Sequence, residues 1–341
     1  MLQSKMTLRT FGNLNMKNIF LRNRCNFGAQ ITCLPFLFTL KDQKTSNEIR
    51  VIYKENLDFF YGQFSWIDHK VQSDSILTDI KYIRKSEHCI SLRPNSFGLR
   101  LSFFIKRASP KDAIIKTNKN NSSPLLNKQV TFCDSKYRAI HYLELSDNQL
   151  SKGELSKSLK APFLFESKHS KLNINKNYIN IFIMVGGGAG EFKKWGVKNF
   201  IKVCQNIENT LNQRVIIHAL IGPDEDKEKK SLLKSKKSND RIHIYENINI
   251  SDISRLSILC DLTIANDCGP SHVAQCVQNG FLGIFDKEKK EWFYKNSLST
   301  CLTPLNGNIS EITILNVTEA ALAILKLKRE KNIESITHQF G

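Results

Sequence analysis

The sequence predicts an α/β protein made of two doubly wound parallel sheets. Three observations lead there. At 341 residues the chain exceeds what one hydrophobic core usually organises, so two domains of ordinary size are expected. Its second half alternates five short apolar runs with helical patterns, as a parallel sheet covered by helices requires. Its first half repeats that alternation less regularly.

Taken in order, residues 18–22 (NIFLR) read as a strand, and the turn NRCNFGAQ leads into ITCLPFLFTL, an apolar helical pattern interrupted by Pro35. IRVIY (49–53) and CISL (89–92) read as further strands, with DFFYGQF and ILTDIKYIRK as intervening helices. From residue 107 to 175 the pattern gives way to Ser, Asn and Lys, with one clearer helical piece, YRAIHYLELSDNQL. The domain connection is placed beyond that piece, giving domains 1–172 and 173–341. In the second domain YINIFIMV, RVIIHALIG, RIHIYEN, DLTIAND and FLGIF are the strands. KNFIKVCQNIENTLN, the lysine-rich segment 226–238, ISRLSILC and PSHVAQCVQ are the helices between them, the third starting around Ser251, Asp252 and Ser254. No repeat of solenoid length is visible.

Composition narrows the class. Hydrophobic residues make up 41% and charged residues 24%, a globular balance, and no apolar run is long enough to span a bilayer. The N-terminus has basic residues without a secretory apolar block, so a cytoplasmic location is expected. The nine cysteines form no CxxC pair and none stands at zinc-finger spacing to a histidine; no metal is expected, and the thiols read as small apolar residues in a reducing compartment. The net charge of +18 favours anionic partners. No RNA-binding aromatic signature or zinc module accompanies it, so no nucleic acid is expected among them. The densest lysine run, 227–237, alternates with Leu232 and Leu233 and reads as the solvated face of a helix.

In doubly wound sheets ligands sit beyond the C-terminal strand ends, so the loops GGGAGEFKK, GPDED and NDCGPSH should line one crevice. NDCGPSH is the most informative. Pro270 suits the first helical position, and the unpaired amides behind it, with the positive end of the helix dipole, favour a phosphate flanked by Asp267 and His272. The plainer alternative is that Asp267 caps the helix and His272 is an ordinary surface histidine. Gly186, Gly187, Gly188 and Gly190 do not complete a GxGxxG fingerprint, but with Lys193 and Lys194 they combine close backbone approach with positive charge; a flexible turn is the alternative. Glu225 stands where a carboxylate accepts ribose hydroxyls, or where an acid begins a helix.

The run GGGAGEFKKW, then IGPDED, then NDCGPSHVA, in this order and spacing, resembles glycosyltransferase family 9, the bacterial lipopolysaccharide heptosyltransferases. The likeness covers residues 178–325, and more thinly RCNFGAQITCLPFL and SLRPNSFGLRLSFFIKR. It implies the GT-B fold, two Rossmann-like domains facing a central cleft, the first binding acceptor and the second a nucleotide sugar. It also implies donor-binding roles for Gly188, Ala189, Lys193, Glu225, Asp267, Cys268, Gly269, Pro270 and His272. On the acceptor side it implies Gly28, Arg93, Asn95, Ser96 and Arg100. The activity implied is transfer of a heptose or related sugar from an ADP-sugar to a lipopolysaccharide-core acceptor. No metal and no cofactor beyond that co-substrate is expected, and the partners implied are the nucleotide sugar and an anionic lipopolysaccharide or lipid-linked acceptor, met by peripheral contact at the inner membrane.

The chain also departs from the family pattern. After the first glycine the family carries an aspartate that serves as base, whereas Gly28 is followed by Ala29, which accepts no proton. Gln30 is no base at neutral pH, and Cys25 becomes one only with a depressed pKa. Gly196 after Trp195, Phe281 near a usual proline, and Asp286 after Phe285 are smaller departures. A catalytically impaired nucleotide-sugar-binding protein of the same fold is therefore the alternative expectation.

Overall fold

The computed structural model describes residues 16–20, 27–43, 48–53, 57–73, 75, 77–78, 88–92, 113–115, 130, 133–145, 150–188, 190–236 and 240–340. Contacts divide the chain into two units, Met1–Arg24 with Leu37–Phe132, and Cys25–Phe36 with Cys133–Gly341. The division expected at residue 172 thus falls forty residues earlier, and a short stretch around the first helix joins the second unit.

In the first unit β1 (Met16–Phe20), β2 (Glu48–Tyr53), β3 (His69–Gln72), β4 (His88–Ser91) and β5 (Ala113–Ile115) form one parallel sheet in the order β3-β2-β1-β4-β5. The apolar run of β2 is buried from Ile49 to Tyr53, which is why the sequence announces it. By contrast β3 and β5 were not anticipated: HKVQ is largely exposed and carries no apolar alternation, and AII is too short to stand out in its polar surroundings. Helix α1 covers Phe27–Ile31, α2 Leu34–Gln43 and α3 Asp58–Tyr61. Tyr61 stacks on Tyr53, and Phe60, Phe64 and Trp66 continue an edge-on aromatic row. Asp68 accepts the Ile49 amide at 2.8 Å and pairs with Lys41 at 2.8 Å, tying α2 to β2. The expected helix ILTDIKYIRK lies outside the described residues except for Leu77 and Thr78.

In the second unit come α4 (Arg138–Leu143), α5 (Lys152–Ser167), β6 (Ile179–Met184), α6 (Val197–Leu211), β7 (Val215–Ile221), α7 (Asp226–Lys236) and β8 (Ile242–Glu246). There follow α8 (Ile250–Leu259), β9 (Leu262–Asn266), α9 (Ser271–Val277), β10 (Phe281–Ile284), β11 (Ser299–Leu302) and α10 (Ile314–Phe340). The sheet is parallel, ordered β11-β10-β9-β6-β7-β8. Sequence order reverses between β6 and β9, so the loops leaving these two neighbours open the crevice where doubly wound sheets bind ligands.

All five expected strands are present, with ends moved by no more than one residue. Helix α8 begins at Ile250 instead of near Ser251, because Asn249 is the cap: its Oδ1 accepts the Asp252 amide at 2.8 Å. Helix α5 was missed, although Ser151 and Glu154 form a capping box legible as S-x-x-E; Pro162 inside the helix hides the pattern that follows. It explains the earlier domain division. Ser156 donates to Gln278 Oε1 at 2.8 Å, Ser251 to Glu166 at 3.2 Å, and Ser170 just beyond the helix to Asp252 at 2.6 Å, so 152–170 is bound to α8 and α9. Helix α10, also not anticipated, buries Val317, Ala321, Ile324 and Leu325, one stripe at helical spacing.

Across β6, β7 and β8 a polar row crosses the sheet. Buried His218 lies 3.0 Å from Asn180 Oδ1 and 3.0 Å from Tyr245 Oη. Burial, then the nearby His243, lowers its pKa from 6.5 to about 4. A depressed histidine pKa means that the unfolded chain binds more protons between these values, so stability rises with pH across that window and falls as pH drops through it. Denaturant midpoints measured between pH 7 and pH 4 should therefore decline, with up to about 3 kcal/mol assigned to His218, and His218→Gln should flatten the decline; an equally steep loss in that variant would refute the assignment.

Candidate functional site

The turn leaving β9 is held from inside. Asn266 is fully buried; its Nδ2 donates to Val185 O at 2.7 Å and its Oδ1 accepts the Trp195 amide at 3.3 Å. One side chain thus joins the ends of the two strands at the switch point to the start of α6. Trp195 is fixed in turn by its indole N–H on Ile312 O at 2.7 Å, and Gly196 follows at φ +100°, a conformation that suits glycine.

Asp267 comes next, and it neither caps the helix nor lies open to solvent. Its Oδ2 accepts two ammonium groups, Lys193 at 2.6 Å and Lys289 at 2.8 Å, and Lys289 also reaches Asp286 at 2.8 Å. Burial pushes the Asp267 carboxyl up, but the two lysines outweigh it and hold the pKa below the ordinary aspartate value. An ammonium carries three donors, so both lysines keep N–H groups for a ligand. The helix-start amides behave otherwise than expected. Those of Ser271, His272 and Val273 donate to the carbonyls of Cys268, Gly269 and Pro270, three residues back, and Pro270 has none. Among the described residues no acceptor takes the amides of Cys268 and Gly269. Cys268 itself is buried, its thiol pushed up to about 12 by burial.

His272 is buried and not a surface histidine. Burial lowers its pKa to about 4, against a smaller upward pull from Asp267, so the ring is neutral in the physiological range. Its Nδ1 lies 3.2 Å from Tyr137 Oη and 3.3 Å from Gln275 Nε2, and Tyr137 and Trp292 pack against the ring. The other edge of the ring faces Gly28. A Cβ there would stand 2.7 Å from His272 Cδ2 and 3.0 Å from Nε2, while one on Gly269 would stand 2.9 Å from Phe27 Cβ and 3.0 Å from Gly28 N. Two glycines interlock because neither side of that contact admits a side chain. Gly28, assigned by the sequence to the acceptor side of the first domain, thus stands beside His272 within the second unit. Ala29 is buried, its carbonyl accepting from Thr32 Oγ1 at 3.0 Å.

The glycine loop after β6 works differently from the expectation of close approach to a ligand. The Glu225 carboxylate occupies the space above Gly186, where a Cβ would lie 1.5 Å from Oε1, and its Oε2 accepts the Gly222 amide at 2.9 Å. Burial raises the Glu225 pKa, with the Gly222 amide partly offsetting it. Gly187 is crowded by Lys194 and Lys193, whereas nothing lies within 4 Å of a Cβ on Gly188, which is exposed. Ala189, Arg93, Asn95, Ser96, Arg100 and Cys25 lie outside the described residues. Of the sequence-predicted set, Gly28, Lys193, Asp267, Cys268, Gly269, Pro270 and His272 are brought together, with Glu225 on the neighbouring strand end. Sequence reasoning missed Lys289, Asp286, Tyr137, Gln275 and Trp292. The position of Gln275, three residues after His272 on one helix face, was a usable signal; the others carry none.

Comparison with known proteins identifies the family and the fold. The family model for glycosyltransferase family 9 (heptosyltransferase) matches residues 129–311, more than half the chain. The chain belongs to glycosyltransferase family 9. Lipooligosaccharide heptosyltransferase 2 of Campylobacter jejuni subsp. jejuni serotype O:2 is 24% identical over 279 residues, covering 80% of this chain and 81% of the relative. E. coli heptosyltransferase WaaC with ADP superposes with a TM-score of 0.62 at 10% identity, covering 89% of this chain and 98% of WaaC. E. coli ADP-heptose lps heptosyltransferase II superposes at 0.63 and 14% identity, covering 92% of this chain and all of that one. The fold of this family 9 chain is accordingly the GT-B type. Among the described residues no helix is long and apolar enough to cross a membrane.

The interlocked glycines yield a contrast measurable by denaturant unfolding. Gly269→Ala should cost about 1–3 kcal/mol, because its new methyl meets backbone that has no room to yield, whereas Gly188→Ala should stay within about 0.5 kcal/mol. Equal effects would show that the contact is not rigid.

Proposed function

We propose that this family 9 glycosyltransferase transfers a heptose or closely related sugar from an ADP-sugar to an anionic lipopolysaccharide-core or other lipid-linked acceptor, at the cytoplasmic face of the inner membrane. The observation that carries the proposal is the convergence of Lys193 and Lys289 on Asp267 beside the His272 ring, at the switch point of a Rossmann-ordered sheet. Two ammonium groups with unused donors suit a diphosphate, whose negative charge grows as the bond to the sugar breaks. Glu225, half-buried at the end of β7, supplies carboxylate oxygen for ribose hydroxyls. WaaC, a relative in fold, was solved with ADP, which supports the choice of nucleotide. The ADP-sugar serves as co-substrate, without a resident metal or other cofactor and without nucleic acid among the partners. The basic chain favours an acidic acceptor.

In the reaction the acceptor hydroxyl oxygen bonds to the anomeric carbon, the bond from that carbon to the diphosphate breaks, and ADP leaves with the electron pair. The hydroxyl proton must go to a base. Ala29 offers none, and His272, with its Nδ1 already accepting and a pKa near 4, is a poor substitute. That observation favours a second reading, a chain that binds the nucleotide sugar and transfers it slowly or not at all.

Calorimetry with ADP tests the donor site: His272→Ala and Lys289→Ala should each weaken binding by about tenfold or more, the loss of a bond to a charged group, and unchanged affinity in both would remove these residues from it. Release of ADP from ADP-heptose with acceptor present separates the two readings. Ala29→Asp should raise turnover if the missing base limits the native chain; no gain over measurable native activity would mean that another group takes the proton.

A further inference from the structure

The neighbours of His272 decide which of its nitrogens carries the proton. The Tyr294 amide donates to Gln275 Oε1 at 2.8 Å. An amide flipped the other way would set two donors against each other, so the Gln275 orientation is fixed and its NH2 group points elsewhere. That group lies 3.3 Å from His272 Nδ1 and 3.5 Å from Ser271 Oγ. A side-chain NH2 is only a donor, so Nδ1 must present its lone pair. The Tyr137 hydroxyl, 3.2 Å from Nδ1 and 3.7 Å from Cys276 Sγ, both donates and accepts, so it does not oppose this polarity. Gln275, Tyr137 and Cys276 are all buried, so water does not compete for these bonds.

We propose that Gln275 is a positioning residue that holds His272 as a neutral imidazole protonated on Nε2, so that the ring offers an N–H donor to an oxygen of the bound diphosphate. Nε2 has no hydrogen-bond partner among the described residues, and it lies on the edge that faces Gly28. The charged groups that act on the ring are Asp267 and Lys193, of opposite sign; Tyr137, itself in contact with Cys276, is the titratable group against its Nδ1 side. A neutral donor adds a directed bond to an anion whose charge is already met by the lysines. The same tautomer removes His272 from the list of bases, since Nε2 is occupied by its proton and Nδ1 by Gln275. This inference rests on the donor-site reading for the ligand, but the tautomer does not.

Long-range proton–nitrogen NMR on the full-length chain labelled with 15N-histidine tests it, with the His272 signal identified by its loss in His272→Gln. Without nucleotide at pH 7 the ring should show an unprotonated Nδ1 and a protonated Nε2, and adding ADP should shift the Nε2 signal. Gln275→Glu places a carboxylate against Nδ1 and should move a proton onto that nitrogen, a change that a merely space-filling role would not produce. Should that variant not fold, Gln275→Leu removes the donor at similar size, and a mixture of tautomers with about tenfold weaker ADP binding is expected. A protonated Nδ1 in the native chain, or an unchanged ring spectrum in the folded variant, would overturn the proposal. So would ADP binding that leaves the Nε2 signal unmoved, whereas native protein that binds no ADP at all but shows the expected tautomer would sink the donor-site reading alone.

Discussion

A single oxygen, Asp267 Oδ2, organises the cation-binding side of this site. It draws together two lysines from distant parts of the chain, Lys193 in the loop after β6 and Lys289 beyond β10, and Asp286 fixes the second from the other side. Burying a carboxylate is costly unless it is paired, and here the pairing brings two ammonium groups to within bonding distance of the same point. Two positive and two negative charges leave the cluster neutral without a ligand, which spares the fold an uncompensated charge. The lysines are therefore oriented in advance, and on the proposed donor reading a diphosphate meets ordered donors instead of ordering flexible side chains itself. Asn266 underlies the arrangement, because its amide bonds set the spacing between the two loops that contribute Lys193 and Asp267.

Charge and direction are divided among different residues. In the proposed donor site Lys193 and Lys289 supply the charge. His272, kept neutral by burial, contributes geometry. Its depressed pKa follows from the dry interior formed by Tyr137, Gln275 and Cys276, so the packing that orients the ring also sets its protonation. Glu225 shows the opposite use of burial: a carboxylate wedged over Gly186 is raised in pKa and held by one backbone amide, free at its other oxygen to accept.

How much of this was legible depended on the reach of each interaction. The central strands β6, β7, β9 and β10 of the second unit were plain because they are almost wholly buried and so read as apolar runs. The Asp267–His272 turn was plain because strand, proline and helical spacing fall within a dozen residues. The first sheet was read only in part: β3 carries polar residues at an edge, and β5 is three residues long. Helix α5 announced itself by Ser151 and Glu154 and then concealed itself with Pro162. Gly186 was read as room for a ligand, when the side chain that fills the room is Glu225, forty residues on.

The sequence by itself determined the class of the fold, the alternation of strands and helices from β6 to β10, and the family to which its loops belong, since these rest on periodicity and on short motifs. Only the tertiary structure decided that Asp267 pairs with Lys193 and Lys289, that Gly28 stands against His272, and that Gln275 meets Nδ1 with a donor. Such facts depend on which distant residues share a few ångströms of space, and on how that space excludes water. Neither is written in the spacing of residues along a chain.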